Sequence, residues 1–425
     1  MNSKDKITLH VGLDDTDSTE GMCTTYLTHI ILNKLEQMGI KAVDYPRQIR
    51  LNPFARYKTR GNGALSFVVE IDESMRDIVK RTVLENVEKY SMFEGPNTNP
   101  GVVFYEGQIT DKMTEYALNA IYDIYTIEYA ERFANENNIE YHKFKKGRGI
   151  IGSIAAISMV LDDETFECLA YRMPENYGTK RRLDEESIFR MNDETYPETF
   201  ENIDFEQNYA AIEPHTPCPV LYGIRANNPE ILEKARKIVI SHEDIEGYRI
   251  FRTNQHTDMH IQSGIAIRDM KNTSCYRFKC HVVENPHDIE GGHVFFKVSD
   301  DTDVIECAAF EPTKSFRNIV RKLIEGDELL IYGGINDNHT LNIEKFKLLG
   351  LASKYRLVNP MCSCGKRMKS AGKNKGFKCP KCGFKLRDSS KVKEIIPRDV
   401  ELGFYEVPTE ARRHLSKPII RFNLK

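Results

Sequence analysis

The residues best suited to chemistry lie near the start of the chain, in the stretch VGLDDTDSTEGMCTTYLTHIIL (11–32). Its three aspartates are Asp14, Asp15 and Asp17. Magnesium takes oxygen ligands and is usually held by one or two carboxylates together with substrate phosphates, so this stretch could bind the ion. Thr24 and Thr25 follow at a predicted helix start. Either hydroxyl could cap the helix or accept a phosphoryl group, because the helix dipole favours the resulting anion.

The tetrapeptide DDTD also occurs a second time, at 300–303, between two predicted strands. Aspartates favour tight turns, so we interpret this copy as a hairpin turn. The motif alone is therefore weak evidence for a metal site. The first copy differs because it leaves the C-terminal end of a strand in an α/β region, where ligands commonly bind.

A basic, glycine-containing stretch, RQIRLNPFARYKTRGNGALSF (47–67), offers a partner for phosphate groups. Its cations, uninterrupted by an acid, are Arg47, Arg50, Arg56, Lys58 and Arg60, and Gly61, Asn62 and Gly63 come directly after them. Glycines let backbone amides approach phosphate oxygens, and Arg and Lys neutralise their charge. No Walker A pattern is present, so a P-loop enzyme is excluded. We favour nucleotide binding over a basic loop that faces RNA.

A third glycine-rich stretch, GRGIIG (147–152), matches the GxGxxG pattern of dinucleotide sites. It follows a predicted helix rather than a strand, and no complete βαβ unit surrounds it. We predict an ordinary tight turn, or an anion-binding turn at a helix start.

Two thiol pairs near the C-terminus have the spacing of metal ligands. They are Cys362, Cys364, Cys379 and Cys382. Tetrahedral zinc takes four such ligands from two short knuckles, and four thiolates leave no position open for water. We therefore predict a structural zinc ribbon. Thirteen Lys or Arg residues against the single acid Asp388 within 354–393 indicate a polyanionic partner.

The elements that must position these groups follow from hydrophobic periodicity. Apolar residues alternate from Ile7 to Leu13, as in a half-buried strand, and from Leu27 they recur at the helical spacing. A further strand at 63–71 and helices at 74–90 and 113–137 complete an α/β region. A middle α+β domain follows. From about Tyr276, three strands, a helix and two strands are predicted, the order of an OB-fold.

Composition limits the remaining possibilities. The 425 residues, 40% of them hydrophobic, exceed what one core usually holds, and the net charge of −3 excludes a uniformly basic nucleic-acid binder. No secretory signal or membrane-length apolar run is apparent, and ten dispersed cysteines fit a reducing compartment. We expect a cytoplasmic protein of two to four domains, with no obligate protein partner evident.

Over essentially its whole length the chain resembles the archaeal tRNA(Ile) 2-agmatinylcytidine synthetases, the TiaS family. The resemblance rests on ordered segments, namely GLDDTDSTEGMCTTY, IRLNP, YKTRGNGALSF, GRGIIGSIAAI, YRMPENYGTKRR, FRTNQHTDMH, GGHVFF, AAFEPTKSFR and the terminal ribbon. It implies a kinase-like ATP-binding domain (1–138), a ferredoxin-like domain (139–265), an OB-fold (266–353), a zinc ribbon (354–395) and a basic tail (396–425).

The resemblance also implies the reaction. ATP activates carbon 2 of the wobble cytidine in the isoleucine tRNA with anticodon CAU, and agmatine displaces the activating group, so that the tRNA reads AUA. Carried across by position, Thr24 is the expected autophosphorylated residue. The aspartates are the expected Mg²⁺ ligands, and Lys58, Arg60, Gly61, Asn62 and Gly63 the expected nucleotide-binding residues.

Two alternatives stay open from the sequence. A non-catalytic RNA-binding protein would use only the OB-fold and the ribbon, which leaves the acidic stretch without a task. A ligase that attaches a different amine would have the same motifs, because the residues do not distinguish amines.

Overall fold

Nine strands of the first 253 residues form one continuous sheet. The structure is a computed structural model that describes residues 6–59, 61–387 and 389–422. The elements of this part are, in chain order, β1 Lys6–Asp14, α1 Thr24–Gln37, β2 Arg47–Arg50, β3 Gly63–Asp72, α2 Arg76–Tyr90, β4 Gly101–Glu106, α3 Asp111–Tyr122, α4 Ile127–Glu136, β5 Glu140–Lys143, α5 Ile150–Ser158, β6 Thr165–Arg172, α6 Glu185–Thr195, β7 Thr199–Phe200, β8 Ile203–Asp204, β9 Tyr209–Ala210, β10 Val220–Ala226, α7 Pro229–Ile238 and β11 Ile245–Thr253.

The strand order of this sheet is β5-β4-β1-β3-β2-β11-β6-β10-β7. The predicted first and middle domains therefore share a sheet, joined by the parallel pair β2 and β11. On the other side of that joint, β1 runs antiparallel to both β3 and β4. The rule for ligand sites in parallel sheets, on which the interpretation of the acidic stretch relied, thus does not apply to β1.

Helices cover both faces of the sheet. Successive side chains of a strand point to opposite faces, and apolar side chains are buried on both. Leu9, Val11 and Leu13 of β1 are fully buried beneath α1 and α2, which confirms the predicted strand. On the opposite face, α3, α4 and α5 pack over Val103 and Ala64. In the middle region, α6 and α7 cover β6 and β10.

One predicted helix is wrong. The stretch 113–137 forms two helices, α3 and α4, separated by residues 123–126. Asp123 is extended at the end of α3, and the Thr126 side chain accepts a hydrogen bond from the Tyr129 amide as the N-cap of α4. No glycine or proline marks this break, so hydrophobic periodicity runs across it.

A five-stranded barrel and a small ribbon follow. Their elements are β12 Ile261–Ser263, β13 Cys275–Ile289, β14 His293–Ser299, β15 Val304–Ala309, α8 Phe316–Val320, β16 Glu328–Ile335, β17 Thr340–Gly350, β18 Lys354–Val358, β19 Lys369–Ser370, β20 Phe377–Lys378, β21 Lys385–Leu386, β22 Val392–Ile396 and β23 Gly403–Glu406. The predicted order of three strands, a helix and two strands is confirmed. The barrel closes through the pairings β13-β14-β15-β17-β16-β13.

The second DDTD copy is the hairpin turn that the sequence predicts. It joins β14 to β15, and one oxygen of Asp300 accepts hydrogen bonds from the amides of Thr302 and Asp303. The strands from β18 onward form one two-stranded sheet and one three-stranded sheet, and the last of them extends the barrel. β18 pairs with β22 beside the three-stranded ribbon β19-β20-β21, and β23 joins the barrel by pairing with β17. Within the described residues, no helix combines the length and apolar character that a membrane crossing requires.

Candidate active site

A cavity of about 1150 Å³ brings together three segments that are far apart in sequence. The first is the acidic loop (14–17), the second is the glycine loop (58–63), and the third is the C-terminal segment (412–422). The start of α1 and the stretch 211–218 of the middle region also line it. All three predicted acids and both threonines therefore face the same space.

The acidic loop begins where β1 ends. Asp15 has a positive φ of 61°, and its amide donates a 2.7 Å hydrogen bond to the Asp14 carboxylate. Burial raises the pKa of Asp14 well above its ordinary value, and the Asp15 carboxylate adds to the rise. Burial also raises the pKa of Asp15, to about 7. Crowded, partly desolvated carboxylates of this kind are suited to a divalent cation, which would compensate their charge.

Helix α5 holds the acidic loop by close packing. A Cβ atom on Gly152 would lie 2.1 Å from an Asp14 carboxylate oxygen, and one on Gly149 would lie 2.4 Å from the Asp14 carbonyl oxygen. The GxGxxG stretch therefore starts a helix whose missing side chains admit the acidic loop. It follows strand β5 rather than a helix, and it turns at Gly147 to Gly149 before α5 begins at Ile150, which is the predicted turn at a helix start. Because β5 pairs antiparallel with β4, no parallel βαβ unit surrounds the stretch.

Arg148, from the same stretch, is a site residue that the sequence analysis did not single out. Its guanidinium lies 2.7 Å from the Asp15 carboxylate and donates to the backbone carbonyls of Tyr57 and Asn97. It thereby links the acidic loop to the segment that leads into the glycine loop. The sequence did contain a signal for Arg148, because a stretch with a basic residue between two glycines is suited to binding an anion.

The two threonines lie inside α1, and neither caps it. The N-cap residue is Cys23, in extended conformation and without a side-chain capping bond. Thr24 is buried, and its oxygen accepts a 3.0 Å hydrogen bond from the Thr16 hydroxyl. Thr25 instead lies 3.0 Å from the Cys23 sulfur. The capping alternative is therefore wrong, and the hydroxyls are available for another role at the positive end of the helix dipole.

The glycine loop is tied to the strand that precedes it. The Leu51 amide donates to the Asn62 carbonyl at 2.9 Å, and the Asn62 side chain donates to the Asn52 carbonyl at 2.8 Å. Asn62 has a positive φ of 47°, which asparagine tolerates better than most residues. Lys58 donates to the Pro53 carbonyl. Lys58, Gly61, Asn62 and Gly63 all line the cavity, whereas Arg60 lies outside the described residues.

The basic stretch divides between the cavity and the outside. Arg50 and Arg56 line the cavity, but Arg47 donates to the Met159 carbonyl and is absent from the lining. Arg47 therefore does not join the predicted phosphate site. The Nε atom of Arg50 is buried and makes no hydrogen bond, whereas the side chain as a whole contributes to the cavity wall.

Several lining residues come from regions that sequence reasoning left unassigned. They are Glu167, Glu213, Arg225, Arg413 and His414. Glu167 accepts from Arg225 at 3.1 Å and from Gln255 at 2.7 Å. Glu213 is half-buried, and burial raises its pKa. No motif marks these positions, because the fold alone brings them to the cavity.

The four predicted zinc ligands converge in the ribbon. Their sulfur atoms all lie within 4.8 Å of one another, and the pairs Cys362–Cys382 and Cys364–Cys379 are each 3.5 Å apart. Gly365 and Gly383 have φ values of 78° and 77°, which allow the tight knuckles. The Cys379 sulfur also accepts from the amides of Lys381 and Cys382. This donor set fits tetrahedral zinc.

A second group of possible ligands consists of His260, Cys275 and Glu344, all buried. The Nε2 atom of His260 lies 3.0 Å from the Glu344 carboxylate, and the Arg413 guanidinium lies 3.5 Å from the same carboxylate. Positive charge is thus already present, and it lowers the pKa of Glu344 below its ordinary range against the effect of burial. We assign this group to an ion-pair network between the middle region and the barrel.

The hairpin β18–β22 carries an exposed face beside the ribbon. Tyr355, Leu357 and Ile395 are 50%, 62% and 65% exposed, and the Lys393 ammonium lies 5.6 Å from the centre of the Tyr355 ring. An exposed aromatic ring among lysines is suited to nucleic acid, because bases stack on the ring and cations neutralise phosphates.

Taken together, the cavity joins three crowded aspartates, a hydroxyl at a helix N-terminus and several cations. Such an arrangement can bind a nucleoside triphosphate and accept a phosphoryl group. The volume also leaves room for a second substrate, since drug-sized ligand sites span roughly 300–1,000 Å³.

Three family models match consecutive parts of the chain. They are the TiaS TCKD domain at 10–146, the TiaS FLD domain at 147–260 and the TiaS C-terminal zinc ribbon domain at 359–400. Together they match more than half of the residues.

Known proteins resemble the chain over nearly its full length. A relative from Archaeoglobus fulgidus, a 2-agmatinylcytidine synthetase for an isoleucine tRNA, is 45% identical over 98% of both chains. The crystal structure of TiaS in complex with its isoleucine tRNA and ATP is 43% identical, with a TM-score of 0.90 over 99% of this chain and 98% of the other. The protein in the crystal structure of TiaS with the tRNA, AMPCPP and agmatine is 41% identical in sequence. Its TM-score is 0.87 over 99% of this chain and 98% of the other.

Proposed function

Because the chain belongs to the TiaS family of isoleucine tRNA 2-agmatinylcytidine synthetases, we propose that it is an ATP-dependent carbon–nitrogen ligase acting on isoleucine tRNA. It conjugates agmatine to carbon 2 of the wobble cytidine in the CAU anticodon, which changes decoding to AUA. The observation that carries this proposal is the cavity, in which the acidic loop, Thr24 and the glycine loop meet. The relatives with bound tRNA, ATP and agmatine support the same substrates.

The acidic loop serves the nucleotide. Asp14, Asp15 and Asp17 hold Mg²⁺. The raised pKa values of Asp14 and Asp15 support this role, because a bound cation would compensate the negative charge that burial makes unfavourable. When bound, the ion neutralises phosphate charge and orients the triphosphate. Lys58 and the amides of Gly61 to Gly63 contact the phosphates, and Arg60, which lies outside the described residues, stays a prediction from the family resemblance.

Thr24 is the phosphoryl acceptor. Its oxygen forms the new bond to a phosphorus of ATP, the bond from that phosphorus to a bridging oxygen breaks so that the oxygen departs with the remainder of the nucleotide, and the hydroxyl proton passes to water. The hydrogen bond from Thr16 occupies a lone pair but not the proton of Thr24. The helix start then stabilises the resulting phosphate, since no acidic residue lies in the first turn of α1.

The second half of the reaction needs a better leaving group than the cytosine carbonyl oxygen. Transfer of a phosphoryl group from ATP to that oxygen supplies one. The agmatine amine then forms the bond to carbon 2 and loses a proton to water, as the bond between carbon 2 and the oxygen breaks and phosphate departs. Agmatine's guanidinium requires a carboxylate. We assign Glu213 to this role because it lines the cavity and forms no salt bridge within the described residues, whereas Glu167 is committed to Arg225.

The remaining domains hold the tRNA. The closed five-stranded barrel, with α8 between its third and fourth strands, supports the OB-fold assignment. The kinase-like and ferredoxin-like assignments of the first two domains rest on the family resemblance. The barrel, the exposed hairpin face and the zinc ribbon grip the tRNA, and the target base is extruded into the cavity. A tRNA substrate also implies a cytoplasmic location.

Nucleoside mass spectrometry tests the proposal directly. Isoleucine tRNA is incubated with the purified protein, ATP, Mg²⁺ and agmatine, then digested to nucleosides. We expect a cytidine heavier by one agmatine less one water. An unmodified tRNA that still binds tightly would favour a different amine or a non-catalytic RNA-binding role.

A further inference from the structure

The C-terminal segment returns from the barrel to the cavity. The amides of His256 and Asp258 donate to the carbonyls of His414 and Leu415, at 2.7 and 2.9 Å. The Lys417 amide donates to the Asp258 carboxylate at 2.7 Å. The backbone of this segment is thus bonded to the end of the middle region rather than extending into solvent.

Charged side chains fix the segment at both ends. Arg412 lies 3.0 Å from the Glu201 carboxylate and 2.6 Å from that of Glu406, and Arg421 lies 2.8 Å from that of Asp163. These contacts join the segment to the middle region and to β23. Because they bracket residues 413–415, they leave those three residues little freedom to move away from the cavity.

Two side chains of the segment reach the cavity wall. The His414 ring lies directly over the glycine loop, where a Cβ atom on Gly61 would come within 2.5 Å of its Cδ2 atom. Arg413 stacks on Phe54, 4.5 Å from the ring centre, and contacts Glu344 of the barrel. The two residues therefore touch the glycine loop, the segment before it and the barrel.

The surroundings of His414 keep its ring uncharged. The Arg50 guanidinium, and then burial, lower the pKa of His414 well below its ordinary value. An uncharged ring can fill the space above Gly61 without repelling Arg50. Arg50 itself lines the cavity, and its Nη1 atom lies beside Gly61, so its positive charge stays next to the glycine loop.

We propose that the C-terminal segment is part of the nucleotide site and that His414 is a positioning residue, which holds Gly61 and the glycine loop in the conformation that binds the ATP phosphates. The inference rests on the proposed function, because it presumes that ATP occupies this cavity. His414, the residue to which we give this function, belongs to no motif and lies more than 350 positions after the glycine loop.

A double-mutant cycle tests the contact between His414 and Gly61. The variants are Gly61→Ala, His414→Ala and the combination, with the ATP dissociation constant measured by calorimetry on the full chain. We expect each single change to weaken ATP binding about tenfold. The double variant should bind ATP better than the sum of the two single losses predicts, because removing the ring relieves one of the two close contacts of the added methyl group, while the contact with Arg50 Nη1 at 2.7 Å remains.

Controls separate positioning from general damage. His414→Gln should recover part of the ATP affinity, and agmatine affinity should stay within about twofold of wild type in every variant. His287→Ala, an exposed histidine of the barrel, should leave ATP binding unchanged. Thermal unfolding of each variant shows whether it is folded.

Additive losses in the cycle, or a folded His414→Ala variant with wild-type ATP affinity, would overturn the inference. A wild-type protein that binds no ATP would instead refute the proposed function, so the two failures are distinguishable.

Discussion

At the scale of single residues, the surroundings of Thr24 distinguish a phosphoryl acceptor from a structural hydroxyl. We predict that Thr24→Val lowers the rate of tRNA modification by about 10²-fold or more, since a nucleophile acts as a unit with its site. The measurement is incorporation of labelled phosphate into the protein together with agmatine transfer to tRNA. Thr25→Val is the matched control, because Thr25 contacts Cys23 rather than Thr16. Equal labelling of the Thr24→Val variant and wild type would exclude the acceptor role.

Glu213 provides a second prediction at this scale. Glu213→Gln keeps the size of the side chain but removes the charge that would pair with a guanidinium. We expect the KM for agmatine to rise by about 10- to 10²-fold, the usual cost of a charge-assisted hydrogen bond, while the KM for ATP stays unchanged. Steady-state kinetics with each substrate varied in turn measure both constants. A rise confined to the KM for ATP would contradict the assignment.

Some residues of the site could be predicted from the sequence, and others could not. The acids, the threonines, the glycine loop and the four cysteines stand in short motifs, and the structure groups their described members around one cavity and in one sulfur cluster. Glu213 and His414 stand in no motif, because their role depends on where the middle region and the C-terminal segment fold back. Arg47 was included wrongly, since residues on a strand alternate between two faces and Arg47 faces away from the cavity.

At the scale of elements, the packing of α5 against β1 predicts that a Gly→Ala change within this helix is harmful, although such a change usually stabilises a helix. Gly→Ala within a helix normally stabilises it by about 1 kcal/mol. In Gly152→Ala, however, the new Cβ would lie 2.1 Å from an Asp14 carboxylate oxygen. We expect ATP-dependent modification to fall by about 10²-fold, because a displacement near 1 Å is enough to misplace a metal ligand.

The control for this change lies just beyond the acidic loop. A Cβ on Gly21 would meet its nearest heavy atoms at 3.8 Å, an ordinary contact. Gly21→Ala should therefore keep activity within about twofold of wild type. Comparable activity in the two variants would show that α5 can shift without disturbing Asp14.

The ribbon makes a separate prediction at the element scale. Its core consists of the cysteines with Met368, Phe377 and Leu386, too little apolar surface to fold alone. Cys379→Ser should lower bound zinc from about one ion per chain to a small fraction and weaken tRNA binding about tenfold or more. Atomic emission and filter binding measure the two effects. Retention of one zinc per chain would exclude the four-thiolate site.

Local patterns predicted most elements because hydrophobic alternation and helical spacing are properties of neighbouring residues. The continuous nine-stranded sheet was not predictable in this way. It depends on the parallel pairing of β2 with β11, whose partners Arg47 and Arg252 are more than 200 positions apart. The break between α3 and α4 was missed for a different reason, since it rests on one threonine cap without glycine or proline.

At the scale of the whole molecule, the barrel and the ribbon, to which we assign the grip on the tRNA, contribute none of the described residues that line the cavity, so the two functions can be tested separately. Truncation at residue 353 would be a poor test, because it also removes β23 and the C-terminal segment that lines the cavity. Residues Val358 and Val392 are the last pair of the hairpin β18–β22. Replacing 359–391 by Asn-Gly would close that hairpin with a two-residue turn and leave both flanking strands intact.

The excised protein should lose tRNA affinity but keep its substrate cavity. The removed stretch carries ten of the thirteen Lys and Arg residues of 354–393, so we expect tRNA binding to weaken by about 10- to 10³-fold at physiological salt and to depend less on salt. ATP and agmatine should bind as they do to wild type, whereas truncation at 353 should abolish ATP binding. Binding of all three ligands is measured on the same preparations. Undiminished tRNA affinity after the excision would move the tRNA-binding surface to the barrel and the nine-stranded sheet.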